Sequence, residues 1–180
     1  MGSAKAAGVP VLETERTIMR AHRIDDFDDY AVMWADPIVT RFVGGKPSTR
    51  EESWIRLLRH AGMWRHMDFG FWAVEEKATG RFIGEAGFHE LRRDMEPSIE
   101  GTLEAGWGFI VEAHGKGYAS EAVGAALAWS AVNHPDEAVT CMIDPAHSLS
   151  IRVAEKQGFR ERVRTVYHEL PTIIFDRRLD

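Results

Sequence analysis

The chain has 180 residues, 22 Lys and Arg against 28 Asp and Glu, a formal net charge of −6, and 44% apolar residues. That length and balance suit one globular domain able to bury roughly 70% of its unfolded surface. They argue against nucleic acid as a direct partner, since no basic run exceeds Arg92-Arg93 or Arg177-Arg178.

Residues 1–8 are small and polar and read as a flexible leader, with residues 9–180 as a single domain. No apolar run approaches the roughly 18 residues of a membrane span. Cys141 stands alone, so there is no disulfide framework, and a cytoplasmic setting is expected.

Leu12 to Ala21 alternates apolar and β-branched residues and predicts a first strand. Asp25 or Asp26 caps a helix that carries Phe27, Tyr30, Ala31 and Trp34 at helical spacing, and Pro37 closes it. A second helix starts at Ser48 or Thr49, with Glu51 and Glu52 in its first turn, and ends near Met67. Strands Phe69–Glu75 and Arg81–Phe88 flank the turn Glu76 to Gly80, and Glu90 to Gly101 is loop.

Leu103 to Val111 is a strand that runs into the glycine cluster His114-Gly115-Lys116-Gly117-Tyr118-Ala119, and an alanine-rich helix begins at Ser120. A strand over Ala138–Ile143, a helix over Ser148–Gln157 stopped by Gly158, and strands Phe159–Tyr167 and Thr172–Leu179 complete the chain. The fold class is mixed α/β, neither a barrel nor a regular βαβ array.

The glycine cluster carries the strongest chemical signal. Glycines let the backbone turn tightly and approach an anion, while the helix start supplies free N–H groups and positive potential. An ordinary strand-to-helix turn has the same composition. GxxxxGK[ST] is absent, and GxGxxG fails at Ser120, so neither a P-loop nor a dinucleotide site is read here.

Glu104-Ala105-Gly106-Trp107, then Gly115-Lys116-Gly117-Tyr118-Ala119-Ser120-Glu121-Ala122, then Ser150 through Phe159, resembles the GNAT superfamily of N-acetyltransferases, and most of all its RimJ/RimL-like branch. The resemblance implies a GNAT fold, with a mixed central sheet of about six to seven strands and about four flanking helices. It implies acetyl-CoA as co-substrate and a primary amine as acceptor: a protein N-terminus, a metabolite or an antibiotic. A monomer or homodimer is expected, and a catalytically inactive acyl-CoA-binding module is the rival reading.

By position, the resemblance gives the coenzyme pyrophosphate to the backbone of His114, Gly115, Lys116, Gly117, Tyr118, Ala119 and Ser120. It gives the pantetheine arm and thioester carbonyl to backbone groups of Phe109, Ile110 and Val111, freed at a bulge. His147 stands where relatives have an asparagine that bonds the pantetheine, and imidazole lacks the amide's paired donor and acceptor.

Acetyl transfer needs a neutral amine, a polarised carbonyl and a proton for the departing thiolate. Glu104 is the candidate base, with Glu85 in reserve, and Ser150 the group that assists the thiolate. Otherwise Glu104 is a solvated or salt-bridged strand-end carboxylate and Ser150 a residue of a helix's first turn. The histidines show no HExxH or HxH spacing, so no metal is expected. Tryptophans on the two N-terminal helices are core residues or line the acceptor pocket.

Overall fold

The structure is a computed structural model that describes residues 8–177. The leader expected over residues 1–8 therefore falls, apart from Gly8, outside the described residues, as does the end of the last expected strand.

Eight strands form one sheet in the order β1-β2-β3-β4-β5-β6-β8-β7. They are β1 (Leu12–Glu13), β2 (Thr17–Arg20), β3 (Phe71–Glu76), β4 (Phe82–His89), β5 (Leu103–Phe109), β6 (Val139–Ile143), β7 (Phe159–Tyr167) and β8 (Leu170–Arg177). The helices are α1 (Phe27–Ala35), α2 (Pro37–Thr40), α3 (Arg50–Met67), α4 (Tyr118–Asn133) and α5 (Ser148–Lys156).

The strand count exceeds the expected six to seven because Leu12 to Ala21 is not one strand. It folds back on itself, pairing Leu12 with Met19, and the Thr14 amide donates to the Thr17 carbonyl at 3.0 Å. Pro37 follows α1, which stops at Ala35 with Asp36 extended, and it also opens α2 at its first position, where its missing N–H costs nothing, with Asp36 as the cap accepting from the Ile38 amide at 2.7 Å. Asp26 does not cap α1 with its side chain, because that carboxylate is held by Arg20 at 2.8 Å.

Thr49 caps α3 as expected, forming a reciprocal capping box with Glu52. The last strand differs from the expectation: β8 starts at Leu170 instead of Thr172, because the turn after β7 takes only His168 and Glu169, both in the left-handed region, the two-residue geometry that matches strand twist.

The main core lies between the sheet and α4, around Trp72, Phe88, Leu103, Val139 and Phe159, all at most 1% exposed. A second cluster joins α1 and α3 to the sheet through Tyr30, Met33, Trp34 and Leu57. These two layers leave one structural opening. β5 and β6 pair in parallel only at Leu103–Val139 and Glu104–Thr140, and beyond them the strands part.

Candidate active site

The parting of β5 from β6 exposes one edge of β5. Its ladder with β4 is unbroken from Glu104 to Phe109, so the expected bulge is absent and the gap comes from β6 turning away. Ile110 donates to Ile83 on the β4 side at 3.0 Å, and Leu103 donates to Ala138 on the β6 side at 2.9 Å. The two-residue alternation of an antiparallel ladder then turns the backbone groups of Ala105, Trp107 and Phe109 toward the gap.

That corrects part of the expectation for Phe109, Ile110 and Val111. The carbonyl of Phe109 lies 2.9 Å from His114 Nε2, the carbonyl of Ile110 accepts from Ala113 at 3.0 Å, and that of Val111 from the His114 amide at 3.0 Å. With the Ile110 amide also engaged, the N–H groups of Phe109 and Val111 are the two of the six backbone groups without a partner among the described residues, and the alternation turns that of Phe109 to the open edge.

At the far end of β5 the glycine loop leads into α4, which begins at Tyr118, two residues before the expected Ser120. Gly117 precedes it at φ +85, where a Cβ would be strained and would meet Arg16 at 3.3 Å. The first amides of α4 have no partner within the helix and point out of its N-terminus. Arg16 braces the loop. It donates to the Lys116 carbonyl at 2.9 Å, and its guanidinium lies 4.5 Å from the Tyr118 ring centroid. Glu121 locks Arg16 in turn, accepting from the Arg16 amide at 2.7 Å and Thr14 Oγ1 at 2.6 Å. Tyr118 packs there, and its hydroxyl donates to Glu76.

A cavity of about 540 Å³ opens where β5 and β6 part, lined on its sheet side by Glu85, Glu104, Gly106 and Trp107 and closed by His147 and Ser150. Its size is that of a small-molecule site. Ser150 is buried and makes no cap. Its Oγ accepts from Trp107 Nε1 at 3.2 Å across the gap and lies 3.3 Å from His147 Nε2. His147 stacks on Phe42 with ring centroids 4.5 Å apart. Burial holds its pKa below the usual imidazole range, with His114 adding to the effect and Asp144 opposing it.

The structure treats the two carboxylates differently. Glu104, 5% exposed, accepts from Arg93 Nε and Nη2 at 2.7 and 2.8 Å. His89 Nε2 stands 3.0 Å away, in ion-pair range but out of line for a hydrogen bond. Burial would raise the Glu104 pKa, but the contacts with His89 and Arg93 outweigh it and pull it down to about 2. Of the two readings drawn from the sequence, the salt-bridged carboxylate describes this geometry.

Glu85, 2% exposed, faces the Nε2 edges of two stacked imidazoles whose centroids are 4.2 Å apart. Its Oε2 lies 3.0 Å from His22 Nε2 and 2.9 Å from His60 Nε2, and His60 Nε2 is also 3.0 Å from the Tyr30 hydroxyl. Burial opposes the Glu85 charge, but His60 and the hydrogen bonds from both rings hold its pKa well below the carboxylate range. Burial, against the pull of Glu85, keeps the His60 pKa below the usual imidazole range. These three residues are also a group of potential metal ligands within 4.8 Å, which sequence spacing did not reveal.

Trp34 and Trp107 line the cavity, whereas Trp54 packs on Phe27 and Trp64 on Trp72. Gly108 gives the Trp34 indole room against β5, since a Cβ there would meet its rim at 3.2 Å. His22, His60, Tyr30 and Arg93 escaped the sequence reading because no local pattern ties them to β4 or β5.

Comparison with known proteins adds an independent line. The family model described as "Acetyltransferase (GNAT) domain" matches residues 16–160. The chain is 26% identical over 171 residues to YkkB of Bacillus subtilis (strain 168), an uncharacterized protein, covering 93% of this chain and 95% of that one. A solved structure from Bordetella pertussis, described as a GnaT-family acetyltransferase, superposes with a TM-score of 0.82 at 28% identity, covering 94% of this chain and 99% of its own. RimL, a ribosomal L7/L12 α-N-protein acetyltransferase solved with coenzyme A, shares the fold with a TM-score of 0.74 at 10% identity, over 93% of this chain and 97% of its own.

Proposed function

The chain belongs to the acetyltransferase (GNAT) domain family, and from that premise we propose that residues 9–180 act as one N-acetyltransferase unit. The unit transfers the acetyl group of acetyl-CoA to a primary amine by direct attack in a ternary complex. The observation that carries this reading is the open β5 edge, which runs from the braced glycine loop to the cavity holding Ser150 and the two carboxylates. From Phe109 to Ala105 that edge is roughly 13 Å long at a strand rise of about 3.3 Å per residue, a reach suited to an extended thioester arm.

The residues present fit the coenzyme. Backbone N–H groups from Gly115 to Ser120 receive the pyrophosphate at the positive end of α4. The free N–H groups on the β5 edge, at Phe109 and Trp107, align the arm and polarise the thioester carbonyl. Ser150, held between Trp107 and His147, donates a hydrogen bond to the departing thiolate.

Proton removal from the acceptor falls to His60, with Glu85 orienting it and stabilising the imidazolium. Glu104, expected as the base from sequence, is a weak proton acceptor at a pKa of about 2, and serves as a fixed anion in the cavity wall. Neither carboxylate is tuned upward as a base for a lysine of pKa about 10.4 would be. The arrangement suits an α-amine of pKa about 7.7–8.0, which is partly neutral on arrival.

Calorimetric titration with acetyl-CoA, followed by thiol release in the presence of amines, tests the reading. Micromolar binding with turnover supports it. Binding without turnover on any amine supports the inactive module, and no binding at millimolar acetyl-CoA overturns both.

A further inference from the structure

Arg56 and Arg59 stand three residues apart on α3, so they share one helix face, and both line the cavity beside Glu85 and His60. Like charges at that spacing repel, yet neither guanidinium has an ion-pair or hydrogen-bond partner among the described residues. Arg56 is held by other means. Its guanidinium lies 3.9 Å from the Trp34 ring centroid, a platform that fixes the group and leaves its N–H donors free.

The acidic groups around the cavity are all engaged elsewhere. Glu104 is held by Arg93, Glu85 by His22 and His60, and Asp144 Oδ1 accepts from the Ala146 amide at 2.7 Å. Asp144 keeps its charge with an amide as its partner, and the fixed charges on the wall that have no hydrogen-bond or ion-pair partner among the described residues are the two on α3. In a chain of net charge −6 an anion is repelled by the protein as a whole, so a bare arginine pair is a localised exception.

We propose that Arg56 and Arg59 bind an anionic group, carboxylate or phosphate, carried by the amine acceptor away from its reacting nitrogen. The inference rests on the acetyl-transfer reading for the reacting amine and concerns the opposite end of the same molecule. The planar fork of arginine matches such groups at two points. The glycine loop lies beyond the far end of β5, so the coenzyme phosphates have a separate receptor.

The test uses matched acceptors that differ in one charge: Ala-Asp-Ala against Ala-Asn-Ala, and 5-aminopentanoate against 5-aminopentanamide. Affinity is read by calorimetry with coenzyme A present, and KM and kcat by thiol release. The anionic member of at least one pair binds about tenfold more tightly, the scale of one hydrogen bond to a charged group. Arg59→Gln and Arg56→Gln bring that ratio close to one, Arg59→Lys keeps part of it, and the acetyl-CoA dissociation constant moves less than twofold. A preference confined to the peptides identifies a protein N-terminus as the source of the charge, and one confined to 5-aminopentanoate a small metabolite. Equal affinities within both pairs overturn the proposal, as does a preference that survives both glutamine variants. A binding preference without turnover on any amine upholds the anion site and sinks acetyl transfer.

Discussion

Arg93 and Glu104 form a two-point clamp in the cavity wall, Nε to Oε2 at 2.7 Å and Nη2 to Oε1 at 2.8 Å, with Arg93 arriving from the loop after β4. It keeps a buried carboxylate ionised and fixes its direction.

Because the folded pKa of Glu104, about 2, lies below the ordinary glutamate value of about 4.3, its contribution to stability is fully present above that ordinary value. It is lost as pH falls through about 2. Arg93→Met leaves the buried charge with His89 as its remaining partner and costs about 3 kcal/mol at pH 7, a loss that shrinks on acidification. Denaturant melts at pH 7 and pH 3 check both the size and the pH trend.

Ser120 lies in the first turn of α4, where an acidic side chain favours the helix and repels a phosphate. Ser120→Asp is therefore expected to melt at or above the native temperature while weakening acetyl-CoA binding by at least tenfold. Calorimetry and a thermal melt on one sample give both numbers. Unweakened binding removes the pyrophosphate from this loop.

Glu85→Gln removes the anion that supports protonated His60 at 2.9 Å. The kcat is expected to fall about a hundredfold, within the range of general acid–base catalysis. Loss of a neighbouring negative charge also lowers an imidazole pKa, so the acid limb of the kcat/KM profile moves to lower pH. A limb that stays in place takes His60 out of proton transfer.

Ser150 touches Trp107 and His147 and no backbone amide, so its hydroxyl is not needed to cap α5. Ser150→Ala should lower kcat about tenfold with little change in melting temperature or in the acetyl-CoA dissociation constant. A variant that keeps native kcat relegates the hydroxyl to packing.

Glu121 accepts from Thr14, from the Arg16 amide and, at 2.8 Å, from Arg16 Nε. Glu121→Ala frees Arg16 from the glycine loop and costs about 2 kcal/mol in unpaired, partly buried donors. The discriminating result is a weaker acetyl-CoA affinity in the folded variant, measured at a temperature where melting has begun in neither protein.

The sequence by itself determined the features that a few neighbouring residues decide. These are the capping box of Thr49 and Glu52, the β3–β4 hairpin, and the glycine loop running into an alanine-rich helix. The order of the motifs was enough to identify the family and the class of fold. Tertiary structure decided the chemistry inside the cavity, because its partners come from distant segments: His22 meets Glu85 across 63 positions of chain, and Glu104 meets Arg93 across 11. Whether a carboxylate is a base or a fixed anion depends on burial and on the charges beside it. Glu104 looked like a base at the end of a strand. The guanidinium folded against it makes it an anchor, and no spacing in the chain shows that contact.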